Sequence, residues 1–285
     1  MRGTMAILER IGIIGAGRVA QALALALAPH SKAPPMLWAR SPDKWGAAAG
    51  GTVTPRLADP ARHCDMIAIA VSDDAVADIA ADLAATISEA RAPFVFHVSG
   101  RSGAAILDPL RAAGALTAAI HPAMTFTGDR DKEVRRMAQA QFAVTGSSPQ
   151  ATAEARRVVT LLGGVPVDIA EEQRPLYHAA LCHASNHLVT LMAGALGALR
   201  AAGADDPAAL LAPLVQAALD NSLEHGFAAL SGPLLRGDER TVEGHLDALA
   251  ADCPDLLPAY RAMALATLDA LERTDPSGLR RKLRQ

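Results

Sequence analysis

A chain of 285 residues has room for roughly two domains of about 150 residues each. Its 51% hydrophobic and 20% charged residues form a globular balance that excludes a disordered chain. Aromatic residues make up only 3% and the net charge is −3. Few rings are left for stacking bases, and no overall charge attracts a polyanion, so nucleic acid is not an expected partner. Cys64, Cys182 and Cys253 form no C-x-x-C pair, which argues against a disulfide framework or a zinc knuckle. The residues before Ile11 lack the features of a signal peptide, and the longest apolar run, 188–199, is short of a membrane span. A cytoplasmic chain with no membrane partner and no metal is the expectation.

The first two thirds alternate short apolar runs with Ala-rich helical stretches. Continuous apolar runs predict strands at 11–14, 36–39, 66–71 and 94–98, with weaker ones at 116–120, 141–145 and 165–169. Helical patterns lie between them at 18–28, 74–90, 104–113 and 151–162. Strands that are apolar throughout are buried on both faces of a parallel sheet, so the expected fold is α/β, an N-terminal doubly wound Rossmann-type sheet. From about residue 171 the strand signal stops, and 174–202 predicts one long helix with Pro175 in its first turn. Asp206-Pro207 should open a further helix that Pro213 kinks and Gly226 ends. Turns at Ser231-Gly232-Pro233 and Arg236-Gly237-Asp238 then separate more helices, and the basic tail after Gly278 reads as a solvated helix end. Two domains are expected, 1–170 with the sheet and 171–285 all helical.

Gly15-Ala16-Gly17-Arg18-Val19-Ala20 fits G-x-G-x-x-G/A between a strand and a helix. Gly15 permits the tight turn, Gly17 lets a pyrophosphate approach the backbone, and small Ala20 allows close helix–strand packing, with the helix N-terminus facing the phosphates. At the end of the second strand, where an NAD site carries Asp or Glu, the chain has Arg40-Ser41, with Lys44 one turn on. A guanidinium and a hydroxyl suit a 2′-phosphate, so the expected cofactor is NADP. Ser41 could equally cap the turn that follows. Val71-Ser72 and Ser99-Gly100 end later strands at the ligand-binding edge, Ser72 doubling as an N-cap and Ser99 and Gly100 placed toward the nicotinamide.

Three further segments, His121-Pro122-Ala123-Met124-Thr125-Phe126, Tyr177-His178 through Ser185-Asn186, and Ser231-Gly232-Pro233 with Arg236-Gly237-Asp238, carry a family likeness. Together with the glycine loop, the chain resembles the Rossmann-like oxidoreductase family whose helical half is called domain of unknown function 2520. It departs at Met124, where that family has Gln, and at Ser231, where it has Thr. The architecture is similar to pyrroline-5-carboxylate reductase and the 6-phosphogluconate dehydrogenase superfamily. The resemblance implies NADP-linked reduction of a small molecule in a cleft between sheet and helices, and a homodimer packed through the helical half.

At about 100° per residue, His178, Cys182, Ser185 and Asn186 share one face of the long helix, while His183 and His187 lie on the other as an i,i+4 pair without a carboxylate. β-Hydroxyacid dehydrogenases carry a lysine four residues before the corresponding Asn; aligned on Asn186, that position is Cys182. Without the lysine, either another acid protonates the alkoxide of a reduced carbonyl, or the substrate is a C=N compound. His178 and His121 are the candidate acids, and Asn186 a candidate for orienting the substrate. Arg236 and Asp238 either serve a substrate carboxylate or form a helix-linking turn. The expected activity is an NADPH-dependent reduction of a small carbonyl or imine metabolite. A non-catalytic NADP-binding sensor or assembly module is the alternative.

Overall fold

The computed structural model describes residues 8–46, 50–87, 92–271 and 278–284. The chain packs as two compact units, Met1–Cys182 and His183–Gln285. The sequence divides near residue 170, where strands give way to helix; the compact units divide at Cys182.

In the first unit β1 (Ile11–Ile14) leads into α1 (Arg18–Leu27), then β2 (Met36–Trp38) and a two-residue strand β3 (Thr52–Val53). There follow α2 (Ala58–His63), β4 (Met66–Ile69), α3 (Val76–Ala84), β5 (Phe94–His97) and α4 (Asp108–Ala112). The helical pattern that the sequence carries to residue 90 ends at Ala84, and residues 88–90 lie outside those described. The unit continues with β6 (Leu116–Pro122), α5 (Arg130–Met137), β7 (Gln141–Gly146), α6 (Pro149–Leu161) and β8 (Val165–Asp168), and it holds the opening turns of α7 (Arg174–Ala201).

The strands form one sheet in the order β3-β2-β1-β4-β5-β6-β7-β8. All neighbours run parallel except β6 and β7, which pair antiparallel, Ile120 opposite Val144. Alternate strand residues feed two apolar layers. Ile11, Ile13, Met66 and Ala68 pack with Leu23 and Leu27 of α1 and Val158 and Val159 of α6. Ile14, Ile67, Ile69 and Val95 pack with Ile79 and Leu83 of α3 and Leu110 of α4. This two-faced burial is why the strands read as unbroken apolar runs. From β3 the chain returns to place β4 on the far side of β1, so the sheet changes direction between β1 and β4. Such a switch point opens a crevice at the carboxyl ends of the strands.

The second unit contains α8 (Pro207–His225), a single turn α9 (Pro233–Arg236), α10 (Glu239–Asp252), α11 (Leu257–Ala270) and α12 (Leu279–Arg284). Asp206 caps α8 by accepting from Ala209 N at 3.0 Å, and Gly226 with φ +59° ends it. The helix continues through Pro213. A small core of Val242, Leu246, Ala264, Leu268, Leu279 and Leu283 joins α10, α11 and α12. The basic tail belongs to it: Lys282 pairs with Glu239 at 2.9 Å and with Glu243, and Arg280 pairs with Asp269. By contrast α8 buries only Pro207 and leaves Leu210, Leu214, Leu219 and Leu223 exposed. Among the described residues no helix is long and apolar enough to cross a membrane.

Candidate active site

The glycine loop occupies the switch point. Gly15 has φ +114°, and a Cβ there would sit 2.2 Å from the Ala70 carbonyl oxygen at the end of β4. Only glycine fits this approach of loop to strand. Gly17 is different: its φ is −72°, and a Cβ would meet nothing within 4 Å. It opens α1, whose first turn carries no side-chain cap and no acidic residue, so backbone N–H groups face the crevice. Ala20 is fully buried against the core.

A cavity of about 650 Å³ extends from this loop. Gly15, Gly17, Arg18 and Val19 line it from the loop, Arg40, Ser41 and Lys44 from beyond β2. Val71 and Ser72 line it from beyond β4, and Ser99 from beyond β5. Of the expected cofactor residues, Ala20 and Gly100 are not in the lining. Ser41 and Ser72 stand at the N-cap positions of the short helical turns that follow them, but neither side chain makes a capping hydrogen bond. Phe126, Trp38 and Asp73 also line the cavity. The Phe126 wall is fixed by its carbonyl, which accepts from Arg18 Nη1 at 3.2 Å, and by buried Glu133, which accepts from Gly128 N at 2.7 Å and from Thr127 N. Gln21 Nε2 donates to the carbonyls of Ala16 at 3.1 Å and Lys44 at 3.2 Å, tying the glycine loop to the segment bearing Arg40 and Lys44. The donor set fits a diphosphate at the loop and a second anionic group at Arg40, Ser41 and Lys44.

One residue past Ser99, Gly100 makes room for two imidazoles. A Cβ on Gly100 would stand 2.7 Å from His178 Cδ2 and 2.9 Å from His121 Nε2. The two rings are edge to face with centroids 6.3 Å apart. His121 belongs to β6 itself, because that strand runs to Pro122 and not to residue 120. His178 stands in the first turns of α7, where Cys182 Sγ lies 3.6 Å from its Nε2. The structure thus brings together two of the three expected catalytic residues. Asn186 lies in the second unit, exposed, its Oδ1 accepting from Ser185 Oγ at 3.3 Å. His183 and His187 are exposed with their Nδ1 atoms 3.0 Å apart, and no three His, Cys, Asp or Glu among the described residues could hold a metal. Asp238 caps α10 through Thr241 N at 3.1 Å, which favours a helix-linking turn for that loop.

Four residues to which the sequence assigned no role build the frame of the histidine site. Arg174 is fully buried: its Nε donates to Thr145 Oγ1 at 2.8 Å and its Nη2 to the Ala119 and Ala143 carbonyls at 3.1 and 3.2 Å, stitching β6 to β7. Glu171 accepts from Ala104 N at 2.7 Å and Ala105 N at 3.3 Å, tying the lead-in of α7 to the segment after β5. Tyr177 Oη lies 2.8 Å from His121 Nδ1. His97 is fully buried, its Nδ1 accepting from Ser99 N at 3.1 Å and its Nε2 donating to the Gly103 carbonyl at 2.8 Å. An arginine at a helix start and a histidine ending an apolar run carry no periodic signal that separates such roles from solvated ones.

Burial, with the Arg174 cation adding, lowers His97 to a pKa of about 4 and His121 likewise to about 4. Both are therefore neutral in the folded protein at pH 5 to 7. Unfolded histidine titrates near 6.5, so on acidification from about 6.5 toward 4 the unfolded chain gains protons that the fold refuses. Their contribution to stability is full above that window and is lost as pH falls through it. The melting temperature should fall between pH 6.5 and 4, less steeply in His97→Gln; equal slopes in a thermal series would refute the assignment to His97.

Comparison with known families divides the chain into two matched parts. Residues 5–122 match the Rossmann-like domain and residues 140–267 the domain of unknown function DUF2520. The chain thus carries a Rossmann-like domain followed by a DUF2520 domain. Among solved structures it is similar to a candidate NADP oxidoreductase from Bacteroides fragilis, with 20% identity over 92% of this chain and 98% of that one, at a TM-score of 0.73. It is similar to a reductive aminase from Aspergillus terreus in complex with NADPH and ethyl-5-oxohexanoate, with 17% identity over 95% and 98% of the two chains and a TM-score of 0.69. An imine reductase from Myxococcus stipitatus in complex with NADP+ gives 18% identity over 95% and 99%, with a TM-score of 0.66. These likenesses bear on fold. No curated protein matches the sequence.

Proposed function

We propose that the protein is an NADPH-dependent oxidoreductase that reduces a small carbonyl or imine metabolite. The observation that carries this is a single cavity at the switch point, lined by the glycine loop at one end, by Arg40, Ser41 and Lys44 at another and by Ser99 beside the histidine pair. The solved neighbours described with NADPH or NADP+ support the cofactor class. In this reading Gly15, Gly17, Arg18, Val19 and Ala20 shape the diphosphate site. Arg40, Ser41 and Lys44 take the 2′-phosphate, and Val71, Ser72, Ser99 and Gly100 flank the path toward the nicotinamide. A bound nicotinamide would supply hydride, and His121 and His178 hold and move protons at the reacting group. Residues 1–170 serve as the cofactor domain and 171–285 as the substrate and dimerisation domain.

Titration of the purified protein with NADPH and NADH, followed by nicotinamide fluorescence, tests the cofactor. A charge-assisted hydrogen bond contributes about 1.5–3 kcal/mol, so Arg40→Ala should weaken NADPH binding by about tenfold or more while barely changing NADH. Absent or equal binding of the two cofactors would defeat the assignment. A panel of ketoacids, aldehydes and cyclic imines assayed for NADPH oxidation then separates an enzyme from a binding module.

The exposed apolar side chains of α8 belong to a surface suited to a second copy. Leu214, Phe227 and Leu230 line a groove of about 480 Å³, and exposed apolar patches of that kind mark interfaces. A homodimer is the symmetric state proposed. Light scattering at micromolar protein should give twice the monomer mass, and a monomer mass independent of concentration would refute it.

A further inference from the structure

Four side chains of the first unit bear on whether the substrate presents a neutral carbonyl or a cationic iminium. The Tyr177 hydroxyl is 2.8 Å from His121 Nδ1, and no other acceptor lies within hydrogen-bond distance of it among the described residues. Burial pushes the phenol above its ordinary pKa, so it keeps its proton and is able to donate it to Nδ1. A neutral His121 bonded this way carries its own hydrogen on Nε2. That nitrogen faces Gly100 and His178, where a Cβ on Gly100 would be only 2.9 Å from it, and it has no protein acceptor among the described residues. In that tautomer an N–H donor is presented at the end of β5, directly after the cavity residue Ser99.

The second observation is independent of the first. Arg174 is a fully buried cation bonded only to neutral acceptors, and among the described residues no carboxylate forms an ion pair with it. Its Nη1 is buried and without a partner. The guanidinium carbon stands 5.9 Å from the Tyr177 ring centroid, and its charge acts on both His121 and His97. Of the nearby acids, Glu171 accepts from Ala104 N and Ala105 N and offsets part of the Arg174 charge from a distance. Asp73, paired with Arg101 at 3.5 Å, acts on both histidines in the opposite sense to Arg174. At His121 the effect of the Arg174 charge outweighs the opposing effect of Asp73, so the local potential there is positive and disfavours another cation.

We infer that the substrate is a neutral carbonyl compound and not a protonated iminium, with His121 Nε2–H donating to the carbonyl oxygen and Tyr177 as the positioning residue that fixes this tautomer. The inference rests on the oxidoreductase reading above and narrows it. A carbonyl oxygen has lone pairs to accept from Nε2–H, whereas an iminium nitrogen has none and brings a charge that Arg174 opposes. A reduced nicotinamide bound in the cavity would supply hydride to the carbonyl carbon and be left oxidised. The C=O π pair would move onto oxygen, which would take one proton from the imidazolium form of His178. That leaves neutral imidazole, which regains its proton from solvent. The field of Arg174 stabilises the oxygen as negative charge builds on it.

Nitrogen NMR of the full-length protein labelled in histidine, with the His121 signal assigned by its loss in His121→Gln, tests the tautomer directly. Neutral His121 protonated at Nε2 is expected at pH 7, and Tyr177→Phe should give a mixture of tautomers with the melting temperature little changed. A hydrogen on Nδ1, or an imidazolium at pH 7, would overturn the inference. In turnover with NADPH, ketones and aldehydes should exceed a permanently charged N-methyl iminium by about tenfold or more in kcat/KM, as expected of one uncompensated charge. A faster or equal iminium would overturn it. Should neither be reduced, NADPH fluorescence separates the cases: lost cofactor binding defeats the oxidoreductase reading, while the NMR tautomer stands on its own. With binding intact, a shift of the Nε2–H signal on adding a neutral ketone supports the inference. A shift caused only by the iminium, or by neither, overturns it.

Discussion

Gly15→Ala should remove NADPH binding and lower the melting temperature, whereas Gly17→Ala should weaken binding and leave the fold unchanged. At Gly15 the backbone is left-handed, φ +114°, and the new Cβ would lie 2.2 Å from Ala70 O and 2.7 Å from Ala70 C. Those are backbone atoms, and Ala70 is held in place by its N–H donating to Ile14 O at 2.7 Å. Neither side can yield without breaking the pairing of β1 with β4. Strained backbone and overpacking each cost about 1–3 kcal/mol, a large share of a stability of about 5–15 kcal/mol. Gly17 meets no protein atom within 4 Å of its would-be Cβ, and its φ of −72° suits any residue. A methyl there intrudes only on a ligand. Thermal melts of both variants beside NADPH titrations check the pair. Unchanged NADPH affinity in Gly17→Ala would remove the diphosphate from this loop.

The sheet was legible because its chemistry is one-dimensional. Strands buried on both faces, such as Met66–Ile69, must be apolar at every position, and the run shows it. The helix α5 (Arg130–Met137) was not legible, since Glu133 and Met137 are its buried side chains and the rest of RDKEVRRM is dominated by charge. Nothing in that stretch announces that its Glu133 holds the Thr127-Gly128 turn beside the cavity. The reversed direction of β7 was equally hidden, because apolar alternation does not record which way a strand runs. The glycine loop could be read in advance because the close approach at Gly15 excludes every other residue. The histidine site could be read only in part. His121 and His178 stand out as titratable groups, but Arg174, Tyr177 and Glu171 act through contacts far apart in the chain, and His97 through backbone groups of the loop that follows it. Arg174 reaches Ala119, Ala143 and Thr145, and Glu171 reaches Ala104. Single-residue chemistry shows in a sequence; the partner that gives it a role does not.

His178→Ala should lower turnover of the substrate by about 10²–10⁴-fold, the usual contribution of a positioned acid, with NADPH affinity unchanged. The imidazole stands beside Gly100 and His121, one residue beyond the cavity residue Ser99, and it is half-buried, so it can reach a group held there and still exchange protons with water. His121 is the poorer source of a proton, because burial and the Arg174 cation lower its pKa to about 4 and leave it neutral at pH 7. The same reasoning separates the two histidines experimentally. His121→Gln keeps a hydrogen-bond donor near the Nε2 position and should retain more activity than His121→Ala, whereas no such rescue is expected of His178→Gln, which cannot give up a proton. Gly100→Ala offers a third route: its Cβ would displace the ends of both rings, side chains that can yield, so activity should fall far more than stability. Steady-state kinetics of these variants with the best substrate of the panel, beside melting temperatures and NADPH titrations, decide the matter. Full turnover in His178→Ala would reduce His178 to a packing residue and move the proton to another group.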